Sequence, residues 1–215
     1  MRRKAIGSRP DLSYSISYFS QFQNCFSLEH WKYLKGVLKY LKVTELYGLK
    51  YEKSVSQTKN IITGFVDADF GNNINDRKSI SGFGIMLFNN FVLWKTKKQS
   101  TVSLSSAEAE YVALADCTTE CIFIGQLLTE IINKNAFPIQ IFEDNQSCIK
   151  LSNTLETKRT KHIDVKHHFV RDCVTTNKIV LSYVSTSEQI ADIFTKALPV
   201  VKFKYFREKL HVVKM

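Results

Sequence analysis

The sequence predicts an α/β domain with a mixed sheet covered by helices, and three observations support this fold class. Stretches of strand length with apolar residues follow one another between residues 61 and 104. A long apolar pattern with helical spacing occupies residues 107–133. Beyond it, strand-like and helix-like segments alternate to residue 197. Strands in succession followed by such alternation predict a single α/β core.

Two helices are expected ahead of that sheet. Pro10 begins the first, since proline suits the first turn of a helix. The second, residues 28–42, has leucines, Val37 and Trp31 at helical spacing, with four lysines on the opposite face. The polar residues 52–60 then read as a linker, which places a domain boundary there.

The sheet is expected to begin with three strands. Residues 61–66 form the first and run into Asp67, and residues 82–89 and 91–95 form a hairpin about the turn at Asn89 and Asn90. A further short strand is expected at residues 100–104.

Helices and strands alternate after that hairpin. Ser106 caps the long helix, and the later elements are a strand at 139–142, a helix, a basic helical segment at 161–175, a strand at 178–184 and a short helix at 187–197. Residues 201–213 have the pattern of a C-terminal amphipathic helix.

The charge distribution favours a polyanionic partner. The formal net charge is +10, and residues 1–60 contain 11 basic against 4 acidic side chains. Lysine and arginine clusters gain affinity for nucleic acid by displacing counterions from phosphates. The five cysteines form no CxxC pair and read as free thiols, and no secretory signal is visible, so an intracellular protein that inserts into no membrane is expected.

Acidic side chains stand where the predicted strands end. Asp67 and Asp144 each follow an apolar strand, and ligands of α/β sheets bind at the carboxyl ends of strands. Glu108 and Glu110 open the long helix about 200° apart around its axis, so only one can face the sheet. Asp192 lies in the late short helix. Carboxylates that converge suit Mg²⁺ or Mn²⁺ and not zinc, and two such ions can support phosphodiester hydrolysis.

Seven segments in order resemble the ribonuclease H domain of copia-type retrotransposon polyproteins. They are GFVDADF at 64–70, DRKSISG at 76–82, WKTKKQ at 94–99, SLSSAEAEY at 103–111, EDNQS at 143–147, TKHID at 160–164 and ADIFTK at 191–196. Upstream, RPDLSY at 9–14, EHW at 29–31 and LKYLK at 38–42 resemble the end of the preceding reverse transcriptase. This implies three parts: a reverse transcriptase connection at 1–55, a ribonuclease H-like five-stranded domain at 60–198 and a C-terminal helix at 199–215.

The resemblance also implies an activity and a ligand set. A metal-dependent endonuclease would cut the RNA strand of RNA/DNA hybrids with two Mg²⁺ ions, for which Mn²⁺ could substitute. The ligands carried over are Asp67, Asp144, Asp192 and one glutamate of SSAEAEY, with Glu110 favoured and Glu108 as the alternative. No polymerase, protease or integrase motif is present in the sequence. The resemblance also implies the missing reverse transcriptase domains as a second partner.

Basic residues are candidates for contacts to the hybrid, namely Lys97, Lys98, Arg159, Lys161 and His162. The alternative for each is a solvated surface position, and a zinc site among the histidines of 162–168 is disfavoured. A catalytically silent nucleic-acid-binding module is the alternative function. A third interpretation is a fragment whose N-terminal helices are left exposed, which improved solubility on deletion of residues 1–55 would support.

Overall fold

The computed structural model describes residues 7–53, 60–133, 135–153 and 161–215, the side chains of 161–164 excepted. A short 3₁₀ turn at Pro10–Leu12 precedes the first helix. The helices are α1 (Ser13–Ser20), α2 (Leu28–Val43), α3 (Ser106–Ile132), α4 (Gln146–Asn153), α5 (Lys161–Thr175), α6 (Asp192–Thr195) and α7 (Val200–Lys209). The strands are β1 (Tyr47–Leu49), β2 (Ile62–Asp69), β3 (Ile80–Leu87), β4 (Asn90–Lys98), β5 (Ile139–Glu143), β6 (Ile179–Tyr183) and β7 (Val212–Lys214).

The main sheet has five strands in the order β4-β3-β2-β5-β6. Strands β2, β3 and β4 are antiparallel neighbours, whereas β5 and β6 add parallel to β2. The predicted mixed α/β sheet is therefore confirmed. Its central strand β2 is flanked by β3 on one side and β5 on the other, so residues of three strands meet around its end.

Helix α3 covers one face of the sheet. Tyr111, Leu114 and Cys117 are fully buried against Val66 and Ile141 of the two central strands. Ser105 and not the predicted Ser106 caps the helix, since the Ser105 side chain accepts a hydrogen bond from the backbone of Glu108. By length and composition alone α3 could cross a membrane, but half of its most apolar 18-residue segment is buried in the protein. Packing on the sheet accounts for that apolar character.

The opposite face is covered by elements from both ends of the described chain. Phe194 of α6, Phe206 of α7 and Val212 of β7 join Phe91 in a second buried cluster. Strand β1 pairs antiparallel with β7, with Leu49 opposite Val212. The N-terminal segment and the C-terminal segment thus form one layer with α6.

Buried polar contacts tie the N-terminal segment to that layer. Arg9 donates two hydrogen bonds to Asp11 and two to Thr44, and all three residues are buried. The Tyr40 hydroxyl donates to Asp11 at 2.7 Å, and Arg207 of α7 donates to the same hydroxyl at 3.3 Å. This network connects α2 to α7.

Three predicted elements differ in the structure. Residues 100–104 form no strand, because β4 is the edge of the sheet and the chain instead turns towards α3. The helix predicted at 201–213 ends at Lys209, since 212–214 pair with β1. The helix predicted at 187–197 is reduced to α6, Asp192–Thr195. Most of the predicted linker, residues 54–59, lies outside the described residues.

Candidate active site

Asp67 lies near the end of β2 and is 2% exposed. It shares a strand face with Phe65, which packs in the layer that contains α6. The Thr195 hydroxyl of α6 donates a hydrogen bond to Asp67 Oδ2. The side chain is therefore held between the central strand and α6.

Asp144 stands beside Asp67 because of the strand register. Phe65 of β2 is paired with Phe142 of the parallel strand β5. Asp67 and Asp144 each lie two residues further along, so the same register places them side by side. Asp144 directly follows β5 and is partly exposed. The two aspartates predicted from the strand ends are thus neighbours.

Glu110 comes from the first turns of α3, where the local fold is held by a buried glutamine. Gln99 donates hydrogen bonds to Ser81 of β3 at 2.8 Å and to the carbonyl of Ala109 at 2.9 Å. Glu110 is 6% exposed, and its Oε2 atom has no hydrogen-bond partner in the part of the chain that is described. Glu108 points elsewhere, because its Oε2 accepts a hydrogen bond from the Leu104 backbone at 2.8 Å.

Asp67, Glu110 and Asp144 come together. One carboxylate oxygen of each lies within 4.8 Å of those of the other two. Buried like charges at such distances are costly unless a cation or protons compensate them. An all-oxygen donor set with an unpartnered buried oxygen fits a hard cation such as Mg²⁺ and does not resemble a zinc site.

Burial and the repulsion of neighbouring acids shift the pKa values of Asp67 and Glu110 upward. Burial raises the pKa of Asp67 to about 6, although the nearby Lys196 charge lowers it, and the charge of Asp192 raises it further. Burial and the charges of Glu143, Asp67 and Asp144 raise the pKa of Glu110 well above its usual range. Asp67 and Glu110 therefore keep their protons to a higher pH than ordinary carboxyl groups do, unless another cation is near.

Asp192 lies at the start of α6 and is 1% exposed. Lys196 approaches its Oδ1 at 2.9 Å and Lys202 its Oδ2 at 2.6 Å. Its carboxylate is not within the group formed by the other three acids. Of the four proposed ligands, the structure brings three together and engages the fourth with two lysines.

Glu143 is an acid of this site that the sequence analysis did not single out. It ends β5, is fully buried, and its Oε1 accepts a hydrogen bond from the Asn145 backbone at 2.9 Å. Burial raises its pKa to about 8. The available signal was the position next to Asp144, but an acid at a strand end gives no sign of which way it faces.

Gln189 and Lys196 were also missed. Gln189 donates to the carbonyl of Val66 at 2.9 Å and to that of Phe142 at 3.3 Å, so it bridges the two central strands beneath the aspartates. Lys196 approaches Asp67 Oδ2 at 3.4 Å as well as Asp192. Lys196 belongs to the ADIFTK segment, and that membership was the signal available for it.

The predicted nucleic-acid contacts lie on the surface or outside the described residues. Lys98 pairs with Asp76 at 2.9 Å, and Lys97 approaches Asp116 at 3.8 Å. Arg159 is outside the described residues, as are the side chains of Lys161 and His162. The two described lysines stand on the edge strand β4.

Known proteins resemble the chain over nearly its whole length. It is 35% identical over 209 residues to the retrovirus-related Pol polyprotein from transposon RE2 of Arabidopsis thaliana, a match that covers 97% of this chain and 14% of that protein. It is 34% identical over 205 residues to the corresponding polyprotein from transposon TNT 1-94 of Nicotiana tabacum, covering 94% and 15%. The chain thus spans about one seventh of the length of these relatives.

Solved structures were compared as well. LC11-RNase H1 in complex with an RNA/DNA hybrid aligns with a TM-score of 0.47 and 12% identity, over 62% of this chain and 93% of that chain. No protein-family model matches the chain.

The mixed sheet with acids gathered at the ends of its central strands defines an α/β protein of the ribonuclease H-like class. Within that class, the chain is a homologue of the retrovirus-related Pol polyproteins of plant transposons and corresponds to one segment of them.

Proposed function

We propose that this protein is a metal-dependent ribonuclease H that hydrolyses the RNA strand of RNA/DNA hybrids. The observation that supports this most is the group formed by Asp67, Glu110 and Asp144 on the central strands and α3. Homology to a segment of transposon Pol polyproteins supports the same activity.

The three grouped carboxylates would hold divalent metal, with Asp192 as a fourth, more loosely held ligand. Two Mg²⁺ ions, or Mn²⁺ in their place, supply activation of water and stabilisation of the leaving oxygen in phosphodiester displacement. Asp67 lies on β2 and Asp144 directly follows the neighbouring β5, while Gln99 ties the Ala109 carbonyl, next to Glu110, to β3. The chain therefore presents these oxygens without large rearrangement. Each of these acids must be deprotonated to serve as a ligand.

Recognition of the hybrid would depend on backbone and shape. Lys97 and Lys98 lie on the β4 edge and can exchange their acidic partners for phosphates. Surface ion pairs of this kind contribute little to stability, so the exchange costs little. Contacts to 2′-hydroxyls in a wide minor groove give little base specificity.

The experiment that tests the activity is cleavage of a labelled RNA/DNA hybrid by the purified chain with Mg²⁺ or Mn²⁺. Single-stranded RNA and duplex DNA serve as substrate controls, and Asp67→Asn as the enzyme control. We expect cutting of the hybrid alone, dependent on metal and lost in the variant. Binding of the hybrid by folded protein without cutting in either metal would leave a silent binding module instead.

A second partner is the polymerase portion of such a polyprotein. Helices α1 and α2 expose an apolar groove of about 260 Å³, lined by Phe19, Phe22, Phe26, Trp31 and Leu34 among others. Exposed apolar surface of this kind marks interaction sites. We expect a polymerase segment supplied in trans to protect these two helices from hydrogen exchange, whereas exchange unchanged in its presence would argue against this partner.

A further inference from the structure

Lys196 occupies the space between two buried acids. Its ammonium lies 2.9 Å from Asp192 Oδ1 and 3.4 Å from Asp67 Oδ2. The two carboxylates are 1% and 2% exposed, whereas the lysine side chain is 31% exposed. One flexible cation with access to solvent thus bridges two rigidly held anions.

The bridge matters because Asp67 has few other groups that compensate its charge. Thr195 donates one neutral hydrogen bond to it. Asp192 has a second ammonium, that of Lys202, which also donates to the Thr186 carbonyl at 3.0 Å. Removal of Lys196 would therefore leave Asp67 without any cationic contact among the described residues.

We propose that Lys196 is a built-in counter-cation that competes with divalent metal for Asp67 and Asp192 and thereby sets the metal affinity of the site. The proposal rests on the metal-dependent function proposed above. Lys196 and a divalent ion are attracted by the same carboxylate oxygens, and two cations in contact there repel each other. The four-carbon stem of lysine allows the ammonium to move out to solvent.

Lys196 would have a role both in the metal-free site and in the metal-bound site. Without metal, Lys196 lowers the repulsion between Asp67 and Asp192 and keeps α6 against β2. With metal, it leaves Asp67 and remains near a site that carries phosphate groups when nucleic acid is bound. A carboxylate pair with its own cation also discriminates against weakly held ions, since a competitor must displace the ammonium.

The test is Mn²⁺ binding measured by calorimetry on the full chain. We expect Lys196→Gln to bind Mn²⁺ at least about tenfold more tightly than the unchanged protein, because the competing charge is gone. Lys196→Arg keeps the charge and should bind as weakly as the unchanged protein. Lys166→Gln is the matched control, since Lys166 pairs with Asp116 at 2.9 Å and the variant loses the same net charge.

A second readout follows from linkage between binding and stability. In chelator, Lys196→Gln should unfold at a lower temperature than the unchanged protein, and saturating Mn²⁺ should narrow that gap. This measurement also shows whether each variant folds.

Three results would overturn the proposal. Mn²⁺ affinity that is unchanged or weaker in Lys196→Gln, beside cleavage of the hybrid by the unchanged protein, removes the competing role and leaves the proposed function intact. An equal gain in Lys166→Gln attributes the effect to net charge alone. Absence of Mn²⁺ binding in every folded variant removes the metal site itself, and with it both proposals.

Discussion

Glu110 and Glu108 stand two positions apart on α3 and have different surroundings. Glu110 is buried beside Asp67 and Asp144, whereas Glu108 accepts a backbone hydrogen bond at the helix N-terminus. The helical repeat predicted that only one of them faces the sheet, but it could not say which. The contact to Leu104 is the feature that separates them, and it depends on a loop conformation that a spacing rule does not contain.

The pair allows a sharp test of the ligand assignment. We expect Glu110→Gln to lower hybrid cleavage about a hundredfold or more, because a metal ligand supports several kcal/mol of catalysis. In chelator at alkaline pH, where the carboxyl group ionises, the same change should raise stability, since it removes a buried charge. Glu108→Gln is the control and should retain activity. The assignment is wrong if the two variants exchange these results.

The raised pKa values of Asp67, about 6, and Glu143, about 8, predict how stability depends on pH. In the unfolded chain such groups titrate near pH 4. The folded protein therefore binds more protons between pH 4 and pH 8, and its stability should fall as pH rises through that window. Urea unfolding in chelator at pH 5 and pH 8.5 measures the fall.

Two further measurements separate the causes. Mg²⁺ at pH 8.5 should restore part of the lost stability, because it compensates the deprotonated acids. Glu143→Gln should flatten the part of the curve between pH 6 and pH 8. A curve that rises with pH in chelator would contradict the assignment of these acids to a buried cluster.

At the scale of elements, α6 can approach β3 only because β3 carries two glycines. A Cβ added at Gly82 would lie 2.6 Å from Thr195 Cγ2 and 2.7 Å from Phe194 Cβ. These contacts are shorter than packed atoms permit, so the absence of a side chain sets the position of α6. This close approach of α6 to β3 brings three residues near Asp67, namely Asp192, Thr195 and Lys196.

Gly82→Ala should therefore damage the protein through α6. We expect a loss of about 1–3 kcal/mol in the free energy of unfolding, as in other overpacked cores, together with weaker Mn²⁺ binding. Gly36→Ala is the control, because no atom lies within 4 Å of a Cβ there and alanine favours the helix by roughly 0.5–1 kcal/mol. Denaturant unfolding of both variants provides the comparison, and equal stability of Gly82→Ala and the unchanged protein would refute the tight fit.

The elements that the sequence predicts well are those with a local pattern. The strand at 62–69, the hairpin strands and α3 show their period in the residues themselves. Asp67 and Asp144 follow from those strands, since parallel neighbours bring their ends together. The strand at 212–214 was missed because its partner, β1, is remote in sequence and its apolar residues also fit a helix. Lys196 was missed because a lysine at a helix end reads as a surface residue.

At the scale of the whole molecule, the described residues before position 54 pack with those after position 189. Asp11, Tyr40 and Arg207 link them by hydrogen bonds, and Leu49 is buried beside Phe206 and Val212. Deletion of residues 1–55 would expose this cluster. We expect the shortened chain to be less soluble and to unfold at a lower temperature than the full chain. If residues 1–55 did not pack on the rest of the protein, their deletion would instead improve solubility.

The buried ion pair of Arg9 and Asp11 tests the same layer with a single substitution. Asp11→Asn leaves the Arg9 charge without its carboxylate and should cost about 3–5 kcal/mol in the free energy of unfolding. Glu120→Gln removes the half-exposed pair with Lys95 and should cost about 0–1 kcal/mol. Losses of similar size in the two variants would show that the N-terminal segment is not part of the folded core.

The pairing of β1 with β7 also has a consequence for the time course of biosynthesis. Tyr47 is opposite Lys214, and a ribosome makes Lys214 roughly ten to thirty seconds after Tyr47 at ordinary rates of elongation. During that interval the apolar residues around Leu49 have no strand to pair with. A nascent chain of this protein therefore exposes the unpaired strand β1 until the residues of β7 have been made, and unpaired strands of this kind are prone to aggregate.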